Sequence, residues 1–145
     1  MLGDLIYEHK GKIIGQRVLG NASEKGEVVV LPKIETTFSA DAKLKGTINI
    51  TDTGTYWSIV RQGGILSGEG QGLYMTKDDT SGETATWTGY GIGCLAAGGR
   101  VSYRGSLFFR TNSTGKMSFL NNIVGVFEYE VDESGNTAAK MWEWK

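Results

Sequence analysis

Hydrophobic and polar residues alternate with a period of two along most of this chain. The alternation is clearest at residues 33–42, 44–51 and 100–110, where apolar residues recur at every second position. Residues two positions apart share a face of a β-strand, so this period predicts strands that bury one face. No window has the 3.6-residue period of an amphipathic helix. We therefore predict an all-β fold of about eight to ten antiparallel strands, in a sandwich or a single closed barrel.

Two glycine runs form the most specific part of this pattern. Glycine occupies every second position in residues 68–72 and again in residues 89–93, so the glycines of each strand share one face. A turn at residues 77–82, with Asp78 opposite Glu83, places the two glycine faces side by side. The other face of this hairpin contains a carboxylate, an amide, a phenol and several apolar residues: Glu69, Gln71, Leu73, Met75, Tyr90 and Ile92.

The strand at residues 100–110 indicates which of these faces lines the interior. Its arginines and serines share one face, and its other face is largely apolar: Val101, Tyr103, Leu107 and Phe109. If Gly93 pairs with Arg100, the glycine face continues the arginine face and points outward. The predicted barrel interior then contains Glu69 and Gln71 beside Leu73, Tyr90 and Tyr103.

The last hairpin, at residues 123–145, gives an independent register. Placing Val131 opposite Thr137 brings Glu128 beside Lys140 on the outer face. The inner face then contains Phe127, Tyr129, Met141 and, near a rim, Glu143. The outer face also carries an unusual number of apolar residues: Val124, Val126, Trp142 and Trp144. Large exposed apolar patches often mark interfaces, so we predict a homo-oligomer, most simply a dimer, that forms through this surface; the alternative is that the segment before Lys33 covers the tryptophans within one chain.

Length and composition narrow the class of protein. A chain of 145 residues is long enough for one barrel domain, and we assign residues 1–145 to it. Its net charge of −1 gives no electrostatic reason to bind nucleic acid or an anionic membrane. No stretch approaches the roughly 20 apolar residues of a membrane span, and no signal peptide is visible. Cys94 is the one cysteine and cannot form an internal disulfide, which favours a reducing, cytoplasmic location.

The chain offers few residues for metal or nucleophilic chemistry. His9 is its one histidine, and it adjoins Lys10-Gly11, which we predict to be a hairpin turn, so we place it on the surface. One histidine and one cysteine predict neither a metal cluster nor a Ser-His-acid triad. The spaced glycines of residues 68–72 precede no helix, so they are not a dinucleotide-binding fingerprint, and we predict no cofactor.

Strand order and glycine placement resemble those of a known group of small barrels. Residues 68–72, the Trp87-Thr88-Gly89 segment that follows and residues 119–128 are similar to the antiparallel barrels of the allene oxide cyclase-like and calycin kind. The resemblance implies a lumen that binds hydrophobic small molecules, and some members of the group are cyclases. No catalytic residue of that group transfers to a position in this chain.

Three functions remain open from the sequence. The first is a small-molecule-binding barrel with a largely apolar lumen, whose ligand contacts are Glu69, Gln71, Leu73, Tyr90, Tyr103, Phe127, Tyr129 and Glu143. The second is a cyclase or isomerase in which a desolvated Glu69 acts as general acid or base; alternatively, Glu69 and Gln71 form a structural hydrogen-bond network with the tyrosines. The third is a structural or assembly barrel with a filled core, which an open lumen of roughly a few hundred Å³ would exclude.

Overall fold

The computed structural model is a closed barrel of antiparallel strands in which each strand pairs with the next and β8 pairs with β1. It describes residues 1–23, 30–77, 80 and 82–145, and for residues 20–23, 30 and 31 it describes the backbone alone. The eight strands are β1 (Leu2–Ser23), β2 (Val30–Leu44), β3 (Ile48–Val60), β4 (Ile65–Thr76), β5 (Thr84–Leu95), β6 (Val101–Arg110), β7 (Gly125–Val131) and β8 (Asn136–Trp144). The predicted all-β barrel is confirmed.

One end of the barrel is closed by the connection between β6 and β7. This connection contains a short 3₁₀ turn, Ser118–Asn122. Met117 and Leu120 are fully buried and pack against the core. Glu83 fixes the segment, because its carboxylate accepts hydrogen bonds from the Ser113 hydroxyl and from the Met117 backbone N–H. The other described 3₁₀ turns are Gln62–Gly64 and Ala97–Gly99.

Two of the predicted registers keep their faces in the structure. In the last hairpin, Val131 lies opposite Thr137 and Glu128 lies opposite Lys140, as predicted. In the β4–β5 hairpin the two glycine faces lie side by side. The predicted pairing of Asp78 with Glu83 puts Gly70 opposite Gly91, whereas in the structure Gly70 is opposite Gly89, a shift of two residues. A shift of two leaves every side chain on its face. Of the turn predicted at residues 77–82, residues 78, 79 and 81 lie outside the described part of the chain.

The pairing of β5 with β6 overturns the predicted interior. Gly93 lies opposite Tyr103 and not opposite Arg100, a shift of three residues. An odd shift exchanges the two faces of a strand relative to its neighbour. The 3₁₀ turn Ala97–Gly99 accounts for the difference, because it lets β5 continue as far as Leu95 before the chain reverses. The glycine face therefore points into the barrel, and the opposite face of β4 and β5 points outward.

β1 is a continuous strand of 22 residues, so the hairpin predicted at Lys10-Gly11 is wrong. Lys10 and Gly11 pair with β2 along one edge and with β8 along the other. Backbone pairing on both edges overrides the local turn signal of a lysine–glycine step. As a result, the residues just before this step lie inside the barrel wall and not on an exposed turn.

The interior is filled by two clusters of side chains. The larger cluster adjoins the closed end, and its fully buried members are Leu44, Ile50, Tyr74, Met117, Leu120 and Met141. The smaller cluster consists of Leu66, Tyr103, Tyr129 and Val131, near the opposite end of the barrel. The polar residues described below lie within this interior, where a polar group without a hydrogen bond destabilises the fold because it has lost its contact with water.

Candidate functional site

The face exchange moves half of the predicted ligand contacts out of the barrel. Glu69 and Gln71 are exposed, and the exposed fractions of Leu73 and Tyr90 are 37 % and 61 %. Their predicted position in the lumen is wrong, for the reason given for β5 and β6. Glu69 therefore lacks the apolar surroundings on which its predicted role as an acid or base depends.

The other predicted contacts lie on the inner face or at its rim. Tyr103 and Tyr129 are buried in the smaller cluster, and Phe127 packs against both clusters. Glu143 is half-buried, and its carboxylate lies 3.8 Å from the Lys145 ammonium group. The interior thus contains two tyrosines and a phenylalanine of the predicted set, without a predicted carboxylate.

A chain of hydrogen bonds crosses the interior. Asp52 on β3 is 3 % exposed; its Oδ2 accepts a hydrogen bond from the Tyr7 hydroxyl, and its Oδ1 accepts one of 2.8 Å from the Trp87 indole N–H. The Tyr7 oxygen also lies 2.6 Å from Nδ1 of His9, whose Nε2 lies 3.1 Å from the Thr137 hydroxyl. Tyr7 donates its one proton to Asp52, so Nδ1 of His9 donates the hydrogen bond to the Tyr7 oxygen.

Tyr74 supplies the unsatisfied group of this cluster. Its side chain is completely buried, and among the described residues its hydroxyl has no hydrogen-bond partner. The Tyr74 and Tyr7 rings stack with centroids 5.3 Å apart. The interaction of the two hydroxyls adds to the raised pKa of Tyr7 and opposes the rise in the pKa of Tyr74, although no hydrogen bond of normal geometry joins them. An unpartnered buried hydroxyl costs about 1–3 kcal/mol of folding free energy.

Burial keeps the lumen phenols protonated. It raises the pKa of Tyr7 and of Tyr74, and the charge of Asp52 raises both further. Burial raises the pKa of Tyr56 to about 12, although its hydrogen bond of 3.0 Å to Tyr129 opposes the shift. Burial also raises the pKa of Tyr103, whose hydroxyl bonds to that of Ser58. At neutral pH these groups therefore remain neutral donors and acceptors.

A cavity of about 80 Å³ lies between these groups. The residues around it include Tyr7, His9, Asp52, Tyr74, Trp87 and Leu107, the Tyr56–Tyr103–Tyr129 group, and Gly68, Gly70, Gly89 and Gly91 of the glycine face. At roughly 30 Å³ per water molecule, it accommodates two or three waters or a few ligand atoms. It is smaller than the roughly 300 Å³ at which ligand pockets usually begin, so its size does not exclude a filled core.

Sequence reasoning missed the residues of the polar chain. His9, expected on the surface, is 5 % exposed inside the barrel, because the predicted turn beside it does not exist. The two-residue alternation of the sequence does contain a signal for these residues. Tyr7 and His9 share a face of β1, and Asp52 continues the apolar series of Ile48 and Ile50 at every second position. An acidic residue that directly continues an alternating series of isoleucines is the feature that identifies this site.

The outer surface keeps the apolar patch that the last hairpin predicted. Trp142 lies opposite Val126 on one side and opposite Leu5 of β1 on the other. Trp144, which pairs with Leu2, is 57 % exposed. We call this surface the outer patch; it consists of Leu2, Leu5, Val124, Val126, Trp142 and Trp144.

Other kinds of site receive no support within the described part of the chain. No three histidine, cysteine, aspartate or glutamate side chains there are grouped as metal ligands would be. Cys94 is a free, exposed thiol. Among the helices of the described residues, none has the length and apolar character needed to cross a membrane.

Comparison with known proteins finds the fold and no function. No family model matches the chain, and no curated protein matches it. It is similar to a crystal structure of a protein of unknown function from Clostridium acetobutylicum, with 14 % identity, a TM-score of 0.74 and coverage of 98 % of each chain. A conserved protein of unknown function from Rhodopseudomonas palustris has 15 % identity and a TM-score of 0.73, with 99 % of this chain and 97 % of that chain covered. A beta-barrel like protein from Acinetobacter baumannii has 16 % identity and a TM-score of 0.74, with 100 % of this chain and 96 % of that chain covered. At these identities the likeness shows a shared barrel fold.

Proposed function

We propose that this barrel binds a compact, mainly apolar small molecule in its lumen, through one polar group of that molecule. The observation that carries the proposal is Tyr74, a residue beside the cavity whose fully buried hydroxyl has no hydrogen-bond partner among the described residues. Buried polar groups in proteins are bonded in more than about 90 % of cases, so an exception in a cavity suggests an occupant. The role is the one that the resemblance to calycin and allene oxide cyclase-like barrels implies.

Both walls of the cavity suit such a ligand. Tyr103, Phe127 and Tyr129 supply apolar ring surface, while Tyr74 and Asp52 supply the small number of placed polar groups that fix a ligand's orientation. The volume of about 80 Å³ limits the ligand, or the part of it that enters, to a few non-hydrogen atoms unless side chains move.

The stacked pair of Tyr7 and Tyr74 provides a test with a built-in control. In the ligand-free protein, Tyr74→Phe removes an unsatisfied hydroxyl, and we expect the free energy of unfolding to rise by about 1–3 kcal/mol. Tyr7→Phe removes a donor to a buried carboxylate, and we expect a loss of about 1.5–3 kcal/mol. Urea unfolding measures both. Native mass spectrometry of freshly purified protein then shows whether the wild type carries a ligand that Tyr74→Phe has lost.

The binding step can be followed directly at Trp87. Its indole N–H bonds to Asp52 beside the cavity, so its NMR resonance reports on lumen occupancy. We expect at least one of acetone, ethanol, urea, methylammonium and acetate to shift this resonance saturably, and Tyr74→Phe to weaken that binding about tenfold. A resonance that no probe moves, together with no carried ligand, would contradict the proposal and favour the filled structural barrel.

One observation favours a second candidate, a cyclase or isomerase. His9, Tyr7 and Asp52 form a continuous hydrogen-bonded chain beside the cavity. Proton transfer in catalysis needs an acid or base held in position. In this second candidate Asp52, and not Glu69, is the general acid or base. If Asp52 acts in this way, the wild-type protein exchanges the methyl protons of acetone in D₂O faster than the Asp52→Asn variant does. Equal rates for the two proteins would leave binding as the better account.

A further inference from the structure

A row of alternating charges borders the outer patch. Along this row, neighbouring strands pair Arg104 of β6 with Glu128 of β7, Glu128 with Lys140 of β8, and Lys140 with Glu8 of β1. All four side chains are exposed, and within the described part of the chain none of them forms an ion pair. We call these four residues the charged row. Their signs alternate, so residues at equal distances from the boundary between β7 and β8 carry opposite charges.

The central residues of the outer patch lie on both sides of the same boundary. Val126 of β7 is opposite Trp142 of β8, two residues along each strand from the charged row. Next to them, the backbone N–H of Trp144 donates a hydrogen bond of 2.8 Å to the backbone oxygen of Val124. Each of these valines on β7 therefore has a tryptophan beside it on β8.

Phe108 and Leu2 extend this apolar surface on its two sides. The register of β6 with β7 continues so that Phe108 lies beside Val124, and Phe108 is 47 % exposed. On the other side, Leu2 of β1 pairs with Trp144, and their exposed fractions are 52 % and 57 %. Because β1 pairs edge to edge with β8, it lies beside Trp144 and leaves that side chain open to a partner. A connected apolar surface of this kind marks an interaction site.

We propose that the outer patch and the charged row bind a second copy of this chain, about a two-fold axis that runs parallel to the strands between β7 and β8. Such an axis exchanges the two sides of the boundary, so each residue faces its counterpart from the other side in the partner copy. Glu128 then faces Lys140 of the partner copy, and Arg104 faces Glu8. The apolar residues are matched in the same way: Val126 with Trp142, Val124 with Trp144, and Phe108 with Leu2. This inference does not depend on what the lumen binds.

The charges select this orientation over the others that two-fold symmetry allows. An axis at right angles to the strands would place the charged row either against itself, with each residue facing its own copy, or against the apolar residues. The first arrangement opposes like charges and the second buries charges without partners, so both disfavour binding. The apolar residues favour contact in any orientation. The charged row therefore determines which orientation forms, while the aromatic residues contribute most of the affinity.

Charge reversal in one copy and its repair by another test this arrangement. Glu128→Lys opposes Lys140 of the partner copy with a like charge, and Lys140→Glu does the same to Glu128. Each clash occurs twice in a symmetric dimer, so we expect either variant to raise the dissociation constant of the dimer at least about tenfold. In an equimolar mixture the two variants complement each other at both positions. We expect the mixture to associate at least about tenfold more tightly than either variant alone, as measured by sedimentation equilibrium.

The mixture separates contacts between copies from effects within one chain, because a defect confined to one chain is not repaired by mixing. Glu130→Lys is the matched control, since Glu130 lies on the same face of β7, two residues farther from the outer patch, and undergoes the same change of charge. Its dimer should match that of the wild type. Arg104→Glu and Glu8→Lys form a second complementary set, which decides the outcome if a variant of the first set does not fold.

Three results would overturn the proposal. The first is a monomeric wild type, and the second is a set of single reversals that dimerise as tightly as the wild type. The third is an equimolar mixture that associates no better than its components, because it would place the effect of the charges within one copy.

Discussion

Substituting alanine for Gly72 tests whether the glycine face lines the lumen. A Cβ atom at this position would lie 2.3 Å from Cε2 and 2.4 Å from Nε1 of the Trp87 indole. Ordinary contacts between carbon atoms begin near 3.5 Å, so the indole must move by about 1 Å. That indole donates to Asp52 and stacks against Phe38, so it cannot move without losing contacts on its far side.

The expected loss of stability in Gly72→Ala has two contributions. Overpacking of a closely packed interior costs about 1–3 kcal/mol. Loss of the hydrogen bond from Trp87 to the Asp52 carboxylate costs about 1.5–3 kcal/mol. Because both effects involve the same indole they do not add fully, and we expect Gly72→Ala to lower the free energy of unfolding by about 3–5 kcal/mol. Domains of ordinary stability have about 5–15 kcal/mol in total, so the variant would be markedly weakened.

Urea unfolding measures this loss against a matched glycine. Gly15 has no atom within 4 Å of the place where its Cβ would lie, so Gly15→Ala should stay within about 0.5 kcal/mol of the wild type. If Gly72→Ala does not fold, Trp87→Phe in the same chain relieves the clash and should restore folding. A Gly72→Ala protein as stable as Gly15→Ala would refute the inward glycine face and return those glycines to the outer surface.

Two further predictions follow from the phenols and from the outer patch. Burial raises the pKa of Tyr56 to about 12, whereas a tyrosine in the unfolded chain ionises near pH 10. The contribution of Tyr56 to the free energy of unfolding is therefore complete below about pH 10. It falls by about 1.4 kcal/mol per pH unit as the pH rises from 10 to 12. Urea unfolding at pH 8, 10 and 11 measures the decline, which the other buried tyrosines steepen, and a stability unchanged up to pH 11 contradicts it. The second prediction is a dimer, because the outer patch joins the exposed Leu2, Leu5 and Trp144 in one apolar surface of the kind that marks interfaces. Sedimentation of the wild type at tens of micromolar should show a dimer. The double variant Trp142→Ser, Trp144→Ser should be a monomer, whereas Met75→Ser, at another exposed apolar position, should remain a dimer. A monomeric wild type would exclude the prediction.

The sequence was sufficient for the features that depend on local alternation. Period two identified the strands, and the Glu128–Lys140 pair fixed the last hairpin, because a charge pair facing apolar pairs has one compatible register. Tyr103, on β6, was correctly placed inside for the same reason. In each case the information lies within one strand or one hairpin, where a shift by one residue would bury charge.

The polar chain could not be predicted because it depends on contacts distant in sequence. Tyr7 and Asp52 are 45 residues apart, and His9 and Thr137 are 128 residues apart. The Lys10-Gly11 step has the composition of a turn, and only pairing with both neighbours keeps it extended. Likewise, the loop between β5 and β6 decides whether the register shift is odd or even, and alternation within one strand carries no information about that length.

The glycine face and the proposed ligand site are two consequences of one sequence feature. On the inner face of β4 the series of glycines ends at Tyr74, and on that of β5 it ends at Trp87. Each strand therefore presents bare backbone along part of the lumen and one large polar ring beyond it. The bare part admits rings from other strands, such as Tyr103 against Gly68. The polar rings meet Asp52 at the edge of the remaining space. A Cβ atom added at Gly89 would lie 2.5 Å from the Leu107 side chain, whereas one added at Gly72 would also displace the Trp87 indole, which belongs to the polar chain. The size and the polar chemistry of the proposed site are therefore coupled at Gly72, while Gly89 affects the space alone.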